Sequence, residues 1–165
     1  MKLFRLLIVL LIIGCSSNNQ SVSNTSFLDY DALDSFIKDS LPSTLDLDTN
    51  YSDVFYQWKD INLINTVKKI PLIESKQLNF HINLLKTDIL KINDKNVPHA
   101  LNHPQVIGRF RVLKTDILKI NIDDLSFENS KTFRKHLKDI VNSYNAFVNT
   151  MNSEVSQKDD KIILN

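Results

Sequence analysis

Nine residues, LKTDILKIN, occur twice, from Leu85 to Asn93 and from Leu113 to Asn121. Each copy lies inside a longer apolar pattern. The first runs Leu78, Ile82, Leu85, Ile89, Ile92, and the second Val106, Phe110, Leu113, Ile117, Ile120. The steps alternate four and three. Side chains at that spacing line one face of an α-helix, whereas a strand would need alternation every second residue. A chain with two such stripes, four heptads apart, has to bury helix against helix.

The likeness continues upstream. Ile70-Pro71 precedes the first copy and Val97-Pro98 the second, with a one-residue slip in spacing. Convergent packing would account for the shared Leu and Ile but not for the shared Lys, Thr, Asp and Asn, which favours internal duplication of a helical unit. The expected helices run from Ser75 to Asn93, with Ser75 as cap, and from Pro104 to Asn121, with Asn102 or His103 before Pro104. Ten residues, DKNVPHALNH, join them, enough for antiparallel packing.

Glycine is scarce: Gly14 and Gly108 only. That excludes a glycine-rich phosphate loop and leaves few sites for positive φ. Other stripes have the helical rhythm. Leu28, Leu33, Phe36, Ile37 and Leu41 predict a helix within Phe27–Leu41, stopped by Pro42, with Asp29, Asp31 and Asp34 on a solvated face near its positive end. After the turn-rich PSTLDLDTN, a helix from Ser52 or Asp53 carries Val54, Phe55, Trp58, Ile61 and Ile64 towards Lys68. Phe55 and Trp58 share a face and read as core anchors rather than an exposed aromatic patch. A last helix, beginning between Ser126 and Ser130, carries Phe133, Leu137, Ile140, Tyr144, Phe147 and Met151 to about Val155. The expected fold is all-α: an antiparallel bundle of four or five helices over 27–157, with a tail at 158–165.

The first residues are of another kind. In MKLFRLLIVLLIIGC, Lys2 and Arg5 precede an apolar run from Leu6 to Ile13 that is too short to span a bilayer. Ile12-Ile13-Gly14-Cys15 matches a lipobox at each position, so the segment resembles the signal peptide of a bacterial lipoprotein precursor. That resemblance implies removal of residues 1–14, with Ile12, Ile13 and Gly14 read by the processing enzyme. It also implies a diacylglyceryl group on Cys15 and residence in the cell envelope, on the outer membrane facing the periplasm if the source is Gram-negative. Two or three acyl chains hold a protein durably where one does not. Cys15 is the chain's single cysteine, so no internal disulfide forms. Residues 15–26, largely SSNNQSVSNTS, have almost nothing to bury and read as a flexible tether.

Chemistry is sparsely signalled. The chain has 20 basic and 19 acidic side chains; loss of Lys2 and Arg5 leaves 18 against 19, which gives no electrostatic reason to expect nucleic acid, a partner that asks for a clustered basic face. His99 and His103, four apart, are candidate metal ligands, but Pro98 and Pro104 bracket them and interrupt the helix such a pair needs. His81 and His136 fall on helices. Asp88 and Asp116 occupy equivalent repeat positions, where they could share a proton across a pair axis. The plainer reading is surface pairing with Lys91 and Lys119 three residues on. No hydrolase triad order or zinc-protease motif appears. The expectation is a non-enzymatic lipoprotein without a cofactor, held to the bilayer through Cys15, serving as a structural or protein-interaction module beside another envelope protein. The alternative is a small-ligand or metal-binding lipoprotein using the His99/His103 loop or the bundle core.

Overall fold

The structure is a computed structural model and describes residues 29–49, 53, 62–93, 95, 97–121 and 130–163, the last nine of these by backbone alone. The lipobox with Cys15, the tether and the stretch holding Phe55, Tyr56, Trp58 and Ile61 lie outside the described residues.

Among the described residues the chain is all-helical, with no strand. Five α-helices follow in order: α1 Tyr30–Ser40, α2 Leu63–Lys68, α3 Leu78–Lys91, α4 Pro104–Lys119 and α5 Ser130–Ile163. Three single 3-10 turns, Ile70–Leu72, Ser75–Gln77 and His99–Leu101, fill the connections.

Local chemistry explains most boundaries. Asp29 caps α1, its Oδ1 accepting from the Ala32 amide at 2.9 Å, and Pro42 forces the residue before it out of the helical region. Pro104 opens α4 at the first turn, where its missing N–H costs nothing, with His103 as the capping residue. α3 starts later than the Ser75 expected from sequence. Ser75 instead opens a 3-10 turn, its amide donating to Asp34 Oδ1 at 2.6 Å and its hydroxyl to the Tyr30 carbonyl at 3.3 Å. So Asp34 is not merely solvated: it ties α1 to the turn that leads into α3. The last helix is longer than its apolar stripe. It continues to Ile163, through residues expected to form a tail.

Among the described residues, the stripes predicted for α3, α4 and α5 close within this one chain. Leu78, Ile82, Leu85, Ile89 and Ile92 of α3, and Val106, Phe110, Leu113, Ile117 and Ile120 of α4, are buried together with Leu33, Ile37, Leu63 and Val67. α5 contributes Phe133, Leu137, Ile140, Tyr144, Phe147 and Met151 to the same core. The Phe110 and Phe147 rings meet at 5.9 Å between centroids with a 48° tilt, within the favourable range for aromatic pairs. α4 lies chiefly along α5, α3 bridges α2 and α4, and α1 rests on the first two 3-10 turns. The repeated helices do touch each other, but α4's main neighbour is α5.

Candidate functional site

The repeat residues most open to a chemical role are treated unequally by the fold. Asp88 is only 3 % exposed, which overturns its reading as a surface residue. Its Oδ2 accepts from the Thr66 hydroxyl at 3.0 Å, and its Oδ1 from Lys91 Nζ at 3.1 Å. His81, also buried, sets its Nε2 2.6 Å from the Thr66 carbonyl. As the carbonyl can only accept, Nε2 carries the proton and donates. Thr66 thus joins α2 to α3 through both backbone and side chain. Asp116, at the matching place in α4, is half-exposed and shares no such cluster among the described residues. The two carboxyl groups therefore stand in different surroundings and form no symmetric pair. The bonds of the cluster run from Thr66 on α2 to His81 and Asp88 on α3, which makes it a pin between helices.

The histidine pair is equally divided. His99 opens a 3-10 turn, while His103 lies at the mouth of α4 with Nδ1 3.8 Å from Glu154 Oε2. Among the described residues no three His, Cys, Asp or Glu side chains gather around a common point. His136 is buried on α5 and its Nδ1 has no hydrogen-bond partner.

A feature absent from the sequence reading lies along α5. Residues 43–48 form an extended strap held by asparagine amides. Asn145 accepts from the Leu45 amide at 2.8 Å and donates to the Ser43 carbonyl at 2.7 Å. Asn152 repeats the arrangement, accepting from Asp48 at 3.0 Å and donating to Asp46 at 3.1 Å. Seven helical residues advance about 10.5 Å, and three residues of extended chain about 9–10 Å. That near match lets two asparagines one heptad apart grip the strap at a three-residue interval. Next to Asn145, Tyr144 donates its hydroxyl to the Leu45 carbonyl at 3.1 Å. Burial, aided by nearby Asp46, holds the Tyr144 phenol well above its ordinary titration range. Asp46 also pairs with Lys68, so the strap reaches α2. Heptad-spaced asparagines, the first directly after a buried tyrosine, were the available sequence signal.

The outer surface is the remaining place for function. Phe80 is 74 % exposed and Leu90 62 % on α3; Val112 and Leu118 are exposed on α4. A groove of about 530 Å³ beside α4 is lined by Asn93, Lys95, Phe110, Arg111 and Lys114. Lys114 Nζ also donates to the Ile92 carbonyl at 3.2 Å, closing the exposed end of α3.

Fold and surface together define an all-α helical bundle with a polar pin, a backbone-held strap and a basic, apolar-studded flank. Compared with known protein families, with curated proteins and with solved structures, the chain has no match.

Proposed function

We propose that this protein is a lipid-anchored envelope protein whose helical bundle acts as a non-catalytic structural or interaction module. The observation that carries the reading is Ile12-Ile13-Gly14-Cys15 at the end of a short apolar run, with Cys15 the chain's single cysteine. The polar, nearly uncharged stretch after it suits a tether that stands a water-facing domain off the bilayer. Among the described residues no helix is long and apolar enough to cross a membrane.

In this reading the two helical units descend from a duplication. Packing alone would select the buried Leu and Ile, but Thr87 and Thr115, Lys91 and Lys119, and Asn93 and Asn121 are identical in exposed positions where it selects nothing. A duplicated surface suits repeated contacts with a neighbour better than it suits a single reaction site.

The test is Cys15→Ser followed by fractionation. The native chain is expected in the membrane pellet, cut before Cys15 and bearing acyl mass. The variant is expected to remain unprocessed and to carry no lipid. A native chain released to the soluble fraction, or a variant acylated like the native chain, defeats the proposal. Affinity capture from cross-linked membranes then tests the interaction role: it should return a reproducible envelope partner that the variant loses.

A further inference from the structure

We propose that the solvent face of α4, with the basic groove beside it, lies against an anionic phospholipid surface; the inference rests on the lipid-anchor reading above. The charges of the chain are unevenly placed. Residues 29–49 carry six Asp and one Lys, whereas residues 86–119 carry seven Lys or Arg and three Asp. Within α4 itself there are four basic residues and one acid, Asp116. Arg111, Thr115 and Leu118 form one outward stripe, and Gly108, Val112, Thr115 and Lys119 another. Neither stripe holds a carboxylate, and the one acid of α4, half-exposed Asp116, lies beside the second, four residues after Val112. Both mix cations with exposed apolar side chains, Val112 at 49 % and Leu118 at 40 %.

That combination fits an interface rather than bulk water. Cations meet headgroup phosphates while short apolar side chains enter the boundary below. The groove is large enough for one headgroup, and its described lining includes Lys95, Arg111 and Lys114, the last also bonded to the Ile92 carbonyl. The acidic segments belong to other elements: α1 sits on the 3-10 turns, and the strap is bonded to α5. A flexible chain as long as the eleven residues read as a tether would have a root-mean-square span of roughly 18 Å. The face is thereby confined near the bilayer, where even weak attraction is effective. Each cation at such a surface favours contact about five-fold, and salt weakens the effect.

The experiment uses the full lipidated protein reconstituted into vesicles of phosphatidylcholine alone or mixed with phosphatidylglycerol. Acylated Cys15 has no free thiol, so a cysteine introduced by Val112→Cys takes an environment-sensitive fluorophore uniquely, and Asn142→Cys on α5 serves as control. Flotation reads the anchor, and shielding from an aqueous quencher reads the face. The label at 112 should be shielded in anionic vesicles at low salt, and exposed in neutral vesicles or at high salt. Arg111→Glu with Lys119→Glu should expose it in anionic vesicles too, while the label at 142 stays exposed throughout. If the protein floats but the two labels behave alike, or lipid charge has no effect at 112, the face proposal is overturned and the anchor stands. If it does not float, the anchor reading falls and takes this one with it.

Discussion

The repeated nonapeptide offers an internally controlled experiment: Asp88→Ala and Asp116→Ala remove the same side chain from the same local sequence. Both exchanges raise helix propensity equally, so that contribution cancels in the comparison. What remains is tertiary. Asp88 is buried and bonded to the Thr66 hydroxyl. Thr66 keeps an alternative acceptor, the Asn62 carbonyl at 2.8 Å, so its hydroxyl is not stranded. The loss is then a charge-assisted bond reduced by that rescue, together with a small void, in all about 2 kcal/mol. Lys91 adds less than about 1 kcal/mol because it is largely in water. At half-exposed Asp116 the expected change is within about 0.5 kcal/mol. Urea titration followed by far-ultraviolet circular dichroism, in a Cys15→Ser background, measures both from the midpoint at constant slope. Equal losses at the two positions would refute the assignment of Asp88 to a buried pin.

Asn145→Ala with Asn152→Ala removes four strap hydrogen bonds, all near the surface; we expect a loss of about 2–4 kcal/mol and faster amide exchange at Leu45 and Asp48. Tyr144→Phe tests the strap from beneath. Because the folded state holds the phenol protonated and the unfolded chain releases its proton above about pH 10, stability falls as pH rises beyond that point. The Phe variant should lose part of that alkaline decline, and an unchanged limb would argue against burial of the hydroxyl. Gly108 lies within α4, and a Cβ added there meets nothing within 4 Å. Gly108→Ala should therefore raise stability by about 0.5–1 kcal/mol, read from the same urea midpoint.

How far the sequence foretells this structure depends on the range of the interaction concerned. The stripes of α3, α4 and α5 were legible because burial repeats every three or four residues, and each named Leu, Ile, Val or Phe is in the core. Pro104 marked the start of α4 because its effect is covalent and local. Ser75 misled because what fixes it is Asp34, 41 residues earlier; nothing near Ser75 distinguishes a helix cap from a 3-10 turn claimed by another helix. Asp88 misled for the same reason, its partner Thr66 lying 22 residues away. The strap was read as a connection, which it is, but its attachment to α5 joins residues about a hundred apart.

The contrast between Asp88 and Asp116 also bears on where function can reside. If duplication preserved something useful, it should be something both copies still present in the same way. Buried chemistry fails that requirement, since one Asp is enclosed and the other half-exposed. The buried Leu and Ile meet it, but only as packing. Common to both copies and facing outward are Thr87 and Thr115, Leu90 and Leu118, Lys91 and Lys119, and Asn93 and Asn121. Leu90 and Leu118 stand out because a largely exposed leucine adds little packing energy to the bundle. Leu90→Ser with Leu118→Ser should thus change stability by less than about 1 kcal/mol, whereas Leu85→Ala or Leu113→Ala, both fully buried, should each cost about 2–5 kcal/mol. If the double Ser variant folds normally yet loses its partner or its lipid contact in cells, the exposed leucines are the inherited function. Should it unfold the protein instead, they belong to the core after all, and the shared surface carries no separate role.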